Sequence, residues 1–329
     1  MIVRLRSLAA LLAAAVMLSA CGGGEPPAPA AAGGGVFPVT VEHSLGSTVI
    51  PTAPQRVVSL GYTDQDTILA LGVVPVAIRE FTGNRPSATW LWASDRLQGQ
   101  QPQVLPGEVS TEAIAALRPD LIVAVSAGLT QEQYDTYSRI APTITHPVGS
   151  HPFQIAWQDA THLIGSALGK PDEADRLVAD LEARFAAVRA QYPQFAGRSA
   201  VVAAASSSGS GKYFVWTSDD NRGRFLTSLG FTVPAQFDEL ADGDFYADIS
   251  GEQLGLLDQN DLVAWITIPG TPNPGIAQQP GAAALRVAQE GRVVELTEEQ
   301  GVALSFSSVL SLPSLLDELP AEFAPRLGG

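Results

Sequence analysis

The sequence predicts an α/β protein of two lobes, each with a mostly parallel sheet covered by helices, joined by one long helix. Three observations predict it. Short buried apolar runs alternate with helical stretches before residue 152, and the same alternation resumes after residue 198. Between them, Lys170 to Tyr192 reads as one unbroken helix with no glycine or internal proline. A helix-then-strand unit at 110–123, STEAIAALRPDLIV, has a partner at 250–263, SGEQLGLLDQNDLV.

The long helix carries Pro171 at its first position and Asp172 and Glu173 where the helix dipole favours acid. Ala174, Leu177, Leu181, Phe185, Val188 and Tyr192 recur in steps of three and four, which keeps one side buried. About 22 residues at roughly 1.5 Å each span about 33 Å, the width of a small domain. A continuous helix of this length suits a strut between lobes and resists bending.

Residues 1–20 form an export signal. Arg4 and Arg6 precede a short apolar core from Leu8 to Leu18, too short for a comfortable membrane span. Leu18-Ser19-Ala20-Cys21 resembles a bacterial lipobox, so cleavage before Cys21 and lipidation of its thiol are expected. Cys21 is the single cysteine of the chain, and stability must come from core burial without disulfides. Residues 21–35, rich in Gly, Pro and Ala, read as a lipidated flexible tether. The net charge of −15 argues against nucleic acid and against binding anionic lipid through the protein surface.

The first lobe is expected over 36–152. A hairpin around Leu45-Gly46-Ser47 opens it. Strands are expected at Val57–Leu60, Val73–Ile78, Leu121–Val125 and Thr143–His146, with helices at Asp64–Leu71, Glu112–Leu117 and Gln131–Ile140. The segment Phe81–Gln103 lacks periodicity and reads as a long functional loop. Connecting helices occupy 153–197, beginning with Phe153–Leu168. The second lobe, 198–329, is expected to hold strands at Ala200–Ala205, Tyr213–Trp216, Leu262–Ile268 and Val293–Leu296. Its helices are expected at Arg222–Leu229, Glu252–Leu257 and Gly281–Glu290, with a closing helix at Ser307–Leu319 broken near Pro313.

Catalytic and metal patterns are scarce. The four histidines show no HExxH or i,i+4 pairing, so no metal site is expected. Gly209-Ser210-Gly211-Lys212 lacks the glycine and the Ser or Thr that a P-loop needs. No G-x-S-x-G elbow exists, so an enzyme is not expected; an extracellular hydrolase remains as a reading of a different class. The chain does place aromatics and arginines at strand ends and in loops: Tyr62, Arg79, Arg85, Trp90 and Trp92 in the first lobe, and Tyr213, Trp216, Arg222, Arg224, Phe245 and Tyr246 in the second. Arginine offers fixed donors for ligand oxygens, aromatics offer flat apolar contact, and clefts between lobes are default ligand sites.

The ordered set RVVSL (56–60), ALGVVPV (70–76), EAIAALRPDLI (112–122), IAPT (140–143), FLTSLGF (225–231) and ISGEQL (249–254), behind a lipobox, resembles the ABC-transporter substrate-binding lipoproteins for ferric siderophores. The wider family also binds cobalamin and haem. The resemblance implies two Rossmann-like lobes in the class III periplasmic-binding-protein arrangement, with ligand held between them. It implies no intrinsic cofactor, iron being held by the siderophore. It implies a monomer, lipid-anchored on the outer face of the cytoplasmic membrane, that docks on an ABC permease. Surface glutamates, one per lobe, serve that docking in the family; Glu132 and Glu252 are the candidates here, although Glu252 aligns in the repeat with Glu112. Cobalamin or haem is the alternative ligand, and haem would favour a tyrosine or histidine on iron, with Tyr62, Tyr213 and Tyr246 as the candidates.

Overall fold

The computed structural model describes residues 37–206, 211–268 and 275–327. The signal at 1–20, Cys21 and the 21–35 tether lie outside the described residues, as do Ser207 to Ser210. The strands β1 (Val39–His43) and β2 (Gly46–Ile50) form an antiparallel hairpin. Then follow β3 (Val57–Ser59), α1 (Asp64–Ala70), β4 (Ala77–Arg79), α2 (Leu91–Ser94), β5 (Gln103–Leu105), α3 (Thr111–Ala116), β6 (Leu121–Val123), α4 (Gln131–Ser138) and β7 (Thr143–Ile144). The strands β3 to β7 make one sheet in the order β5-β4-β3-β6-β7, parallel throughout. Chain order reverses direction between β3 and β6, the switch point at which open α/β sheets leave a crevice.

Two helices follow, α5 (Trp157–Ala167) and α6 (Pro171–Gln191). A Cβ on Gly165 would stand 2.4 Å from that of Ala174, so only glycine lets α5 and α6 approach this closely. The strut reading follows from the cores: Ala174 is buried in the first lobe's core, while Val178, Leu181 and Phe185 are buried in the second's. Leu177 packs against both. Arg184 fixes the second-lobe end by donating to Asp317 Oδ1 at 2.6 Å.

The second lobe contains β8 (Ala200–Ala205), β9 (Lys212–Trp216), α7 (Asn221–Ser228), α8 (Ala235–Ala241), β10 (Tyr246–Ser250), β11 (Leu262–Trp265), α9 (Arg286–Gln289), β12 (Val293–Glu295), α10 (Glu298–Phe306) and α11 (Leu312–Phe323). Its sheet runs β10-β9-β8-β11-β12, the same spatial order as the first. The strands β8, β11 and β12 are parallel, and β9 runs antiparallel to both β8 and the edge strand β10, from which α7 and α8 separate it in the chain.

Several expected elements shift. The run from Val73 enters the sheet only at Ala77, and the 81–103 loop ends in the edge strand β5. Glu252–Leu257 is helical but wound as a 3-10 segment, Gly251–Gln259. Gly281–Glu290 divides into a 3-10 turn and the short α9, because Gly281 adopts φ +80° and Leu285 is extended. Pro313 starts α11 rather than breaking it, since a proline in a first turn forfeits no hydrogen bond. Ser307, in the left-handed region at φ 42°, ends α10, a helix not expected from the sequence.

Candidate functional site

A cavity of about 290 Å³ opens between the lobes. From the first lobe it is lined by Tyr62, Thr63 and Asp64 after β3, Phe81 after β4, and Val125 and Ser126 after β6, the carboxyl ends flanking the switch point. Phe153 and Trp157 come from the connecting segment. The second lobe supplies Asp220, Asn221 and Arg222 after β9, Phe245 before β10, and Ser305 to Ser308 at the end of α10. Because β9 runs antiparallel to β8, the chain leaving β9 emerges at the opposite edge from the carboxyl end of β8. That end of the sheet supplies Asp220, Asn221, Arg222 and Phe245 to the cavity.

Asp64 holds the first-lobe wall together. Its carboxylate accepts from the N–H groups of Val125 (2.7 Å) and Ser126 (3.0 Å) and from the Ser126 hydroxyl (2.6 Å). Burial pushes this carboxyl upward, and the Ser126 hydroxyl and backbone donors pull it back. On the other side Asp220 caps α7 by accepting from the Arg222 N–H, and both its oxygens accept from Arg222 Nη1 at 3.0 and 3.1 Å.

The rings form a continuous chain. Trp90 stacks on Trp92 at 5.4 Å, Trp92 meets Phe306 at 5.3 Å, and Phe306 meets Phe81 at 5.7 Å. Phe81 then touches Tyr62 at 5.0 Å, Tyr62 touches Phe153 at 6.2 Å, and Phe153 touches Phe245 at 6.3 Å. The chain crosses between lobes at Phe306 and at Phe245, giving the cavity an apolar wall of mutually tilted rings. Gly128, at φ +64°, makes room for Phe153: a Cβ there would lie 2.5 Å from the ring.

Of the eleven residues expected to touch ligand, Tyr62, Arg222 and Phe245 line the cavity. Arg79 stands behind Tyr62, donating to its oxygen at 3.0 Å with the guanidinium 4.4 Å from the ring centre. Trp92 backs Phe306, and Tyr246 packs on Phe245 and Phe214. Trp90 is buried beneath the exposed Arg85, whose guanidinium lies 4.4 Å above its ring. Tyr213 and Trp216 sit in the second-lobe core, and Arg222 covers the Trp216 ring at 4.5 Å. Arg224 turns away to donate to the Gln154 carbonyl at 2.8 Å. Glu132 and Glu252 are exposed, each in the first turn of a segment closed by a capping box, Thr130 with Gln133 and Ser250 with Gln253.

Sequence reasoning missed Phe81, Phe153, Phe306, Asp64 and Asp220 as site residues. Phe81 lies two residues beyond Arg79, and Asp220 is an N-cap before a helical run; both signals were present. Phe306 belongs to α10, whose start is marked by the box Thr297-x-x-Gln300. A second buried carboxylate, Asp66, joins the lobes beside the cavity. Its Oδ2 accepts from Trp92 Nε1 at 2.8 Å and from the Ser308 hydroxyl at 2.5 Å, while Oδ1 is buried without a partner. Burial pushes its pKa up to about 6.

The histidine ring nitrogens of His43 are taken by the hydroxyls of Thr48 (2.9 Å) and Thr145 (3.1 Å), an arrangement of structural hydrogen bonds with no carboxylate in it. Among the described residues no group of three or more His, Cys, Asp or Glu is placed to hold a metal.

The comparisons agree with this architecture. The Probable siderophore-binding lipoprotein YfiY of Bacillus subtilis is 30% identical over 205 residues, 61% of this chain and 59% of that protein. The ferric enterobactin-binding periplasmic protein FepB of Escherichia coli O6:H1 is 28% identical over 207 residues, 60% of this chain and 62% of that protein. The chain thus spans about three fifths of the length of these curated relatives. A crystal structure of a periplasmic solute binding protein from Mycobacterium smegmatis is 36% identical, covers 88% of this chain and 99% of that one, and superposes with a TM-score of 0.77. Residues 57–300 match the family described as Periplasmic binding protein. With two α/β lobes on one connecting helix and a cavity between them, the chain belongs to the periplasmic binding protein family.

Proposed function

We propose that the protein is the extracytoplasmic solute-binding component of an ABC importer, capturing a ferric siderophore between its lobes and delivering it to a membrane permease. The observation that carries this reading is the interlobe cavity walled by Tyr62, Phe81, Phe153, Phe245 and Phe306. Such a wall suits the apolar periphery of a bulky chelate. The names of YfiY and FepB point the same way for those relatives. The lipid on Cys21 would keep a monomer near the permease.

Docking belongs to glutamates on each lobe. The two sheets share one spatial order, so the segment before β6 corresponds to the segment before β11. This supports Glu112 as the counterpart of Glu252, with Glu132 at the start of the next helix; all three are exposed.

Tryptophan fluorescence tests the ligand. Trp157 lines the cavity and Trp92 touches its wall, so ferric siderophores should quench emission in a saturable titration. A response to cobalamin or haem instead would move the ligand within the family. Haem could draw its iron ligand from Tyr62, the tyrosine among the lining residues, or from His151, whose ring touches Phe153 and Phe245.

A further inference from the structure

Among the described residues that line the cavity the one cation, Arg222, is paired with a carboxylate of its own wall. Among the described lining residues the ionisable groups are Tyr62, Asp64, Asp220 and Arg222. Asp220, 1% exposed, holds the Arg222 guanidinium with both oxygens, so this cation is neutralised within its own wall. The Asp64 oxygens are filled by backbone and hydroxyl donors. Arg224 is spent on Gln154 and faces Asp219 at 4.0 Å, and Lys212 is paired with Asp248 at 2.7 Å. Arg79, its Nε buried without a partner, lies over the Tyr62 ring and outside the cavity lining, and the exposed Arg85 lies over Trp90, also outside it. The stretches 207–210 and 269–274 contain no ionisable residue in the sequence, and the whole chain carries −15.

Neutral polar groups are still offered. Arg79 donates to the Tyr62 oxygen, which leaves the Tyr62 hydroxyl hydrogen for an acceptor in the cavity. Asn221 Oδ1 is buried without a partner, an acceptor suited to an amide N–H.

Resting on the function proposed above, we propose that the cavity selects ferric chelates of zero or positive total charge, the tris-hydroxamate class, over multiply anionic tris-catecholate and citrate complexes. Three monoanionic hydroxamates cancel the charge of ferric iron, whereas three dianionic catecholates leave a large negative excess. That excess would need uncompensated cations lining a low-dielectric site, and the one cation of the lining, Arg222, is spent on Asp220. The amide-bearing arms of a hydroxamate suit the Tyr62 donor and the Asn221 acceptor.

Calorimetric titration of the purified protein with ferric ferrichrome-type and ferrioxamine-type hydroxamates, a ferric tris-catecholate and ferric citrate tests this. The hydroxamates should bind at least about tenfold more tightly than the anionic complexes. Asp220→Asn, which keeps the helix cap but frees the Arg222 charge, should shift the catecholate-to-hydroxamate affinity ratio about tenfold toward catecholate. Tightest binding of the catecholate or citrate complex by the wild type overturns the selectivity and leaves the siderophore reading intact. Binding of none of them overturns both. The wild-type ranking decides the matter even if the variant does not fold.

Discussion

Replacing Asp66 with asparagine isolates a buried carboxylate that joins the two lobes. Its pKa is pushed from the ordinary aspartate value of 3.8 to about 6 by burial, against the opposing Ser308 and Trp92 hydrogen bonds. A raised carboxyl means that the folded protein binds this proton more tightly than the unfolded chain does. Asp66 therefore favours the fold most below the unfolded value, and this contribution is lost as pH rises through about 6. A shift of about two units at about 1.4 kcal/mol each gives about 3 kcal/mol in full, of which about 2 kcal/mol is realised between about pH 7.5 and about pH 4.5. Asparagine keeps an oxygen for Trp92 and Ser308 but cannot titrate. Urea unfolding of both proteins across that range should show the wild type gaining about 2 kcal/mol relative to Asp66→Asn on acidification. With an m-value of about 3 kcal/mol/M, the midpoints separate by roughly 0.7 M. Parallel pH profiles for the two proteins would refute the assignment of a raised, lobe-bridging carboxylate at this position.

Two further perturbations probe the cavity wall and the docking surface. Gly128→Ala forces a side chain into a left-handed position and against the Phe153 ring, so stability should fall by about 1–2 kcal/mol in urea unfolding, and siderophore affinity should fall with it; an unchanged affinity would mean that Phe153 does not form the wall. Glu112→Ala with Glu252→Ala should reduce uptake of iron chelate by cells carrying the permease while leaving the affinity of the purified protein unaltered, and a loss of uptake from Glu132→Ala alone would reassign the first-lobe contact.

Much of the framework was legible because periodicity reports burial. The strut from Lys170 was readable since its apolar stripe is long and uninterrupted, and β3, β6, β8 and β11 because continuous apolar runs mark strands covered on both faces. The helix α10 escaped because it is buried nearly all round, from Gln300 to Leu304 and at Phe306, and so has no amphipathic face to detect. The strands β5 and β10 were hidden for other reasons: three residues at a sheet edge carry little pattern, and β10 alternates over only five. The site was harder still. A sequence names aromatics and arginines but not the direction in which they point. Tyr213 lies inside β9 opposite Ile249 and is core, whereas Phe245 precedes β10 at the other end of that strand pair and faces the cavity; the sequence does not show which end of a strand pair meets the other lobe. Arginines were expected to meet ligand oxygens; the pairing of Arg222 with Asp220, two residues away, could be seen only once the turn before α7 was in place.

In the function proposed here, an already coordinated ferric ion rests between the lobes against the aromatic wall. Anomalous scattering from iron, in crystals grown with a ferric hydroxamate, tests that claim most directly. The predicted result is a single iron peak in the cavity bounded by Tyr62, Phe81, Phe153, Phe245 and Phe306, with no protein atom at ligating distance. Iron bound outside the interlobe cavity, or ligated by a protein side chain, would contradict it.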